Sequence, residues 1–138
     1  VYFYNVYGPQ QITTGDMATV IGIFERSYLL KKPLTIVRPG NQTRRFTHIQ
    51  DTISTCYEAW KKNKCAHYSI SNKKIYSILQ VAKLFKSKYV FLPKRPGERY
   101  ASALTNMSQN NKIYKRYGKI KLNEYIDKFI KKKNNENS

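Results

Sequence analysis

Two short arginine clusters are the residues whose chemistry is easiest to interpret. The first, TRRFTHIQD over Thr43–Asp51, places two adjacent arginines just after a Gly40-Asn41 turn. The second cluster is RPGER over Arg95–Arg99. A planar guanidinium group can donate two hydrogen bonds to one anionic group, which suits phosphate or pyrophosphate. Two such clusters in a small chain predict one anionic ligand that is held from both sides.

Structural roles account for the other side chains with potential chemistry. We expect His48 to be held in a hydrogen bond near Phe46 rather than to act as an acid or base. Asp51 is predicted to cap the following helix, because aspartate accepts hydrogen bonds from the first amides of a helix. Cys56 and Cys65 have no CxxC pattern and no histidine at metal-ligand spacing. We therefore interpret them as reduced thiols and expect no metal site.

The charge of the chain allows two interpretations. The net charge is +18, and it comes mainly from lysines that are scattered along the sequence. A solvated lysine surface is the favoured interpretation. A nucleic-acid surface is the alternative, because aromatic and basic residues alternate in Tyr114-Lys115-Arg116-Tyr117 and could stack on bases. No apolar run approaches the roughly 20 residues that span a bilayer, so we expect no membrane partner. The reduced thiols fit the cytoplasmic location that we expect.

Strands and helices alternate along the chain, which predicts an α/β or mixed α+β fold. The predicted strands are Val1–Asn5, Pro33–Val37, His67–Ile70 and Lys88–Leu92. The predicted helices are Thr19–Lys32, Thr52–Lys62, Ile78–Lys86, Met107–Tyr117 and Leu122–Ile130. Ser77 and Gln80 have the spacing of a capping box at the start of the third helix. In the second helix an apolar stripe of Ile53, Cys56, Tyr57 and Trp60 predicts that Trp60 packs in the core.

Four segments, in this order, resemble one family: NVYGP at 5–9, KPLTI at 32–36, TRRFTH at 43–48 and RPGE at 95–98. They are similar to the C-terminal half of NAD-dependent nucleotide-sugar epimerases and dehydratases of the extended short-chain dehydrogenase/reductase type. The similarity is greatest to UDP-glucose and UDP-N-acetylglucosamine 4-epimerases. It implies the substrate-binding part of a Rossmann-type epimerase, without the Gly-rich dinucleotide-binding half.

The resemblance also implies roles for residues at matching positions. Asn5 would contact the sugar or its phosphates, and Glu98 would hold the ribose hydroxyls. The other implied substrate-binding positions are Thr19 and Val20 near the nucleotide, Thr35 and Val37 on a strand that meets the uracil, and Arg44 and Arg95 at the diphosphate. Arg45 departs from the family pattern, because an aspartate usually follows the first arginine.

The catalytic parts of the family are not found in this sequence. The family transfers hydride through bound NAD and uses a Tyr-x-x-x-Lys pair, but this chain has no Gly-rich dinucleotide loop. Two Tyr-x-x-x-Lys matches, Tyr28 to Lys32 and Tyr57 to Lys61, are attributed to chance in a chain rich in both residues. We therefore expect a UDP-sugar-binding portion of a 4-epimerase with no catalytic residues and no cofactor bound by the chain alone, NAD belonging to the complete enzyme.

Three segments are predicted: a last-strand remnant of the cofactor domain at 1–10, a nucleotide-sugar-binding domain at 11–130 and a polar tail at 131–138. We expect the strand at Val1–Asn5 to be a sticky edge, so that the chain self-associates or binds a missing N-terminal half. Two alternatives to this function remain open at this stage: a stand-alone, non-catalytic binding module, and a basic nucleic-acid-binding domain.

Overall fold

The computed structural model describes residues 1–64, 66–97 and 113–136. The strands are β1 Tyr2–Phe3, β2 Val6–Tyr7, β3 Leu34–Val37, β4 Thr43–Arg44, β5 Thr47–His48, β6 His67–Ser71, β7 Tyr76–Ser77, β8 Tyr89–Leu92 and β9 Ile113–Tyr117. The helices are α1 Val20–Leu29, α2 Ile49–Lys62, α3 Ile78–Leu84 and α4 Leu122–Glu136. The predicted mixed α/β class is confirmed.

Most strand pairing in the described part of the chain is parallel. The strands β1, β6 and β9 form a parallel sheet in that order, and β3 pairs in parallel with β8. The short strands β2 and β5 are also parallel, whereas β4 and β7 are antiparallel. The motif at residues 5–9 therefore contains a short strand.

The core is built from strand β3 and the helices α1, α3 and α4. Leu34 and Ile36 alternate along β3 and are fully buried, as expected for the inward face of a strand. Phe85 follows α3 and lies with its ring at 5.8 Å from that of Phe24 and 6.3 Å from that of Phe129, between centroids. These contacts join three helices around one aromatic side chain.

Capping residues set where the helices begin. Ser77 Oγ accepts a hydrogen bond from Gln80 N at 3.1 Å and Gln80 Oε1 accepts one from Ser77 N at 2.8 Å, which confirms the predicted capping box. The helix α2 begins at Ile49 rather than Thr52, because His48 is its N-cap and its Nδ1 accepts from Gln50 N at 3.2 Å. The prediction that Asp51 caps this helix is wrong; its Oδ2 accepts from Ile120 N at 3.0 Å.

The apolar stripe of α2 faces solvent, so the prediction that Trp60 packs in the core is wrong. Trp60 is 74% exposed, Tyr57 58% and Ile53 53%, and Cys56 is exposed as well. The face of α2 that packs on β6 instead carries Thr52 and Thr55, which are buried. The prediction of a helix is correct, but the side of α2 that packs against the rest of this chain is not the predicted one.

Three further predictions of secondary structure are corrected. Residues Ile113–Tyr117 form strand β9 beside β6 instead of the end of a helix, and the remainder of that predicted helix lies outside the described residues. The last helix continues past Ile130 to Glu136, into the segment predicted as a polar tail. The helix α1 ends at Leu29, earlier than predicted.

Candidate functional site

Strand β3 forms one wall of a cavity of about 140 Å³. Thr35 and Val37 line it, because alternate residues of a strand face opposite sides and Leu34 and Ile36 occupy the core side. The first turn of α1 contributes Val20 to the same cavity. Three of the sequence-predicted site residues therefore meet at one surface.

Arg44 and Arg95 lie at the same cavity, as expected for a site with two arginine clusters. Arg44 ends strand β4, and its Nη1 donates a hydrogen bond to Thr43 O at 2.8 Å. Arg95 follows β8, whose Leu92 is in register with Val37 on the parallel strand β3. The cavity thus lies beside β3 and reaches the carboxyl ends of two parallel strands, where open α/β sheets commonly bind ligands. Among its described lining residues there is no carboxylate, so its charge favours an anion.

Gln42 also lines this cavity and was not identified from the sequence. It is 1% exposed, its Nε2 donates to Val37 O at 3.0 Å and its backbone oxygen accepts from Ile78 N at 3.1 Å. The turn before it needs Gly40, whose φ is +84° and whose missing Cβ would come within 3.1 Å of Ile36. Gln42 therefore ties the end of β3 to the start of α3 and fixes the route of the chain towards Arg44.

A second cavity, of about 220 Å³, shares Val20 with the first and is lined by Asn5 and Thr19. Asn5 Nδ2 donates to Arg45 O at 3.1 Å. Thr19 is the N-cap of α1, and its Oγ1 accepts from Gly22 N at 2.9 Å. A Cβ at Gly22 would come within 2.5 Å of a backbone oxygen of the preceding loop, which explains why glycine suits this position. The two adjoining cavities together bring seven of the eight predicted site residues to one region; Glu98 lies outside the described residues.

A buried carboxylate stabilises the loop at Thr19. Thr19 Oγ1 donates to Gln11 Oε1 at 2.7 Å, and Gln11 Nε2 donates to Glu25 Oε2 at 2.8 Å. Tyr125 of α4 donates to the other oxygen of Glu25 at 2.7 Å. Burial raises the pKa of Glu25 above its ordinary value, while the hydrogen bonds from Tyr125 and Gln11 oppose that rise. Burial likewise raises the pKa of Tyr125.

Arg45 and His48 have structural contacts. Arg45 Nη1 donates to two backbone oxygens after β6, those of Asn72 at 2.9 Å and Lys73 at 2.7 Å. Arg45 is not among the described residues that line either of the two cavities. His48 is buried with its ring edge-on to Tyr7 at 5.2 Å, and burial lowers its pKa, with Asp51 opposing this. A neutral imidazole is what its role as a helix cap requires, because Nδ1 must accept a hydrogen bond.

The described residues offer neither a metal-binding cluster nor a membrane-spanning helix. No group of three or more His, Cys, Asp or Glu side chains there could hold a metal ion. No helix among them is sufficiently long and apolar to cross a membrane.

Comparison with known proteins identifies the family. Residues 1–72 match the family described as "NAD dependent epimerase/dehydratase family". A UDP-glucuronic acid 4-epimerase from Bacillus cereus, solved with UDP-glucuronic acid and NAD, is 26% identical with a TM-score of 0.70, and the match covers 94% of this chain and 44% of that one. The chain belongs to the NAD dependent epimerase/dehydratase family, which confirms the resemblance inferred from the four segments.

Two further proteins are similar to this chain, one in fold and one in sequence. The UDP-glucose 4-epimerase of Thermotoga maritima, solved with UDP-glucose, is 22% identical with a TM-score of 0.78, over 99% of this chain and 45% of that one. Among curated proteins, UDP-glucuronic acid decarboxylase 4 of Arabidopsis thaliana is 27% identical over 81 residues, which is 59% of this chain and 18% of the plant protein. The chain thus spans less than half the length of the relatives it matches.

Proposed function

We propose that this chain binds the nucleoside diphosphate part of a UDP-sugar, as the substrate-binding portion of an NAD-dependent 4-epimerase. The observation that supports this most is the cavity itself, where Thr35 and Val37 line one wall and Arg44 and Arg95 lie at the same opening. Arginine guanidinium groups suit the diphosphate, because each can donate two hydrogen bonds to an anionic group. The bound UDP-sugars of the relatives are consistent with this ligand class.

In this proposal each predicted residue has a distinct task. Arg44 and Arg95 bind the diphosphate, and the strand at Thr35 and Val37 borders the uracil. Thr19, Val20 and Asn5 line the adjoining cavity, which takes the ribose or the sugar. Glu98 is retained as a ribose ligand by the resemblance alone. The chain contributes no catalytic residue, and NAD is bound by other polypeptide in the complete enzyme.

The exposed apolar side of α2 supports the proposal that this chain functions in contact with further polypeptide. An amphipathic helix normally turns its apolar stripe towards the core, but α2 buries threonines and exposes Ile53, Tyr57 and Trp60. Phe3 on the edge strand β1 is exposed too. Exposed apolar side chains grouped on one helix face mark an interface in many natural proteins. We infer that the dinucleotide-binding half covers it in the complete enzyme.

Chemical-shift mapping with UDP tests the proposed site. We expect UDP to shift the backbone amides of Val20, Thr35 and Val37, which border the two cavities. The amide of Gly118, which lies by a separate groove, should not move. Shifts concentrated away from the two cavities would refute this placement of the ligand.

A further inference from the structure

A basic groove of about 640 Å³ lies between the loop after β6 and the segment that joins β9 to α4. We call it the lysine groove, after Lys73, Lys74, Lys119 and Lys121, which line it. None of its described lining residues lines the cavities of the nucleotide-sugar site. It therefore has no part in the function proposed above.

The groove combines positive charge with aromatic rings. All four lysines are exposed. Lys73 Nζ lies 5.1 Å from the centroid of the Tyr117 ring, and Lys74 Nζ lies 4.7 Å from that of Tyr76. Lys121 pairs with the exposed Glu124 at 3.3 Å, and no carboxylate is among the described lining residues. The groove thus presents at least three ammonium groups that have no acidic partner within it.

Strand β9 shows which part of the Tyr114–Tyr117 motif is accessible to a ligand. Tyr114 stacks on Tyr68 at 5.2 Å between ring centroids, and Arg116 forms two hydrogen bonds with Glu58, at 2.8 and 3.1 Å. These bonds from Arg116, with a contact from Lys62, hold the pKa of Glu58 at about 2. Tyr117 instead is 50% exposed and lines the lysine groove. Only this ring of the motif is placed to meet a base.

A second lysine-rich pocket, of about 570 Å³, provides a comparison within the same chain. It is lined by Lys31, Lys32, Lys88 and Lys133 around Tyr28. Tyr28 is only half-buried, but its ring packs against Phe129 at 5.9 Å and its hydroxyl donates to Asn134 at 3.4 Å. The two pockets therefore match in lysine number and differ in the use of their tyrosine.

We propose that the lysine groove binds the phosphate backbone of a single-stranded nucleic acid, with Tyr117 stacking on a base. Lysines are point charges that neutralise phosphates without selecting a sequence, and an exposed tyrosine offers a stacking surface that any base can use. A concave groove with an aromatic wall fits an extended strand better than it fits a flat membrane surface.

Fluorescence anisotropy with a labelled oligothymidine of about twelve nucleotides, a length within the usual site sizes, tests this proposal. If four lysines each neutralise one phosphate, log K should fall with log salt with a slope of about −2.8, so affinity should drop about fifty-fold between about 50 and 200 mM salt. The variant Lys73→Gln/Lys119→Gln should halve that slope to about −1.4. At about 50 mM salt its affinity for the oligonucleotide should fall about tenfold for each lysine–phosphate contact removed.

The matched control is Lys31→Gln/Lys88→Gln, which removes the same charge from the second pocket. It should bind nearly as well as the wild type. Tyr117→Ala should weaken binding about tenfold, whereas Tyr117→Phe should retain it. Circular dichroism of each variant confirms that the fold is kept.

Four results would overturn the proposal: no binding at low salt, equal losses in the two lysine pairs, displacement of the oligonucleotide by UDP, or binding to phosphatidylserine vesicles without binding to the oligonucleotide. Equal losses would mean that net charge alone attracts nucleic acid. Displacement by UDP would place the oligonucleotide in the nucleotide-sugar cavity. The other three results leave the proposed binding of UDP in that cavity untouched, and displacement by UDP would support it.

Discussion

Replacing the rings on the exposed face of α2 should weaken self-association of the isolated chain without weakening its fold. The variant is Tyr57→Lys/Trp60→Lys. The two rings contact each other, with centroids 5.8 Å apart, and are mainly exposed. Lysine is a good helix former, so the free energy of unfolding should change by less than about 0.5 kcal/mol.

The exposed areas set the expected size of the effect. Trp60 is 74% exposed, and since aromatic side chains bury about 150–250 Å², covering it withdraws about 150 Å² from water, or about 4 kcal/mol. Tyr57, 58% exposed, adds about 2.5 kcal/mol on the same scale. Association costs several kcal/mol in lost freedom, so only part of this gain appears as affinity. A loss of about 2 kcal/mol, or about thirty-fold in Kd, is the least we expect.

Sedimentation velocity over a range of protein concentrations measures the effect. The wild type should show a concentration-dependent rise in mass, and the double variant should need about thirty-fold more protein for the same rise. Met17→Lys/Leu30→Lys removes exposed apolar side chains outside α2 and serves as the matched control. A wild type that is monomeric at every concentration, or equal effects of the two double variants, would refute the assignment of this face as the interface.

Three further predictions concern folding. Phe85→Ala should lower the free energy of unfolding by about 3–5 kcal/mol, because it leaves a cavity where three helices meet. Phe85→Leu should cost less. Small and equal losses for the two variants in denaturant titrations would contradict this central position of Phe85 in the core. Ser77→Ala should cost about 1 kcal/mol by removing one half of the capping box, and an unchanged midpoint would argue against that cap. The folded-state pKa of His48 is lowered from 6.5, so the unfolded chain takes up the proton first and stability should fall as the pH drops through that value. In unfolding titrations from pH 8 to 5, the free energy of unfolding of the wild type should fall relative to that of His48→Asn. A difference between the two proteins that does not change with pH would contradict this prediction.

Local patterns predicted much of the fold. The strand at Pro33–Val37 was predicted from its short apolar run, which is a local property, whereas the family resemblance pointed to Thr35 and Val37; the structure has β3 at Leu34–Val37 with Leu34 and Ile36 buried. The capping box at Ser77 was predicted for the same reason. The order of the four motifs added the family, which the comparison confirmed.

Errors arose where contacts distant in sequence decide the structure. The apolar stripe on α2 has the helical period that was predicted. A period does not show whether a stripe packs against its own chain or against another polypeptide, and Trp60 is exposed in this chain. Tyr114–Tyr117 is too short to distinguish helix from strand by pattern, and its pairing with β6 is non-local. Gln42 gave no local signal, because its importance comes from contacts with the end of β3 and the start of α3.

Calorimetric titration with UDP tests the central claim most directly, that the cavity beside β3 binds a nucleoside diphosphate. We predict that the wild type binds UDP more tightly than uridine, and that Arg44→Ala loses about ten- to a hundredfold in affinity for UDP, the value of a hydrogen bond to a charged group. Arg26→Ala, which removes an exposed arginine of α1 that does not line the cavity, should bind like the wild type. Equal affinity of the wild type and Arg44→Ala for UDP would contradict the account.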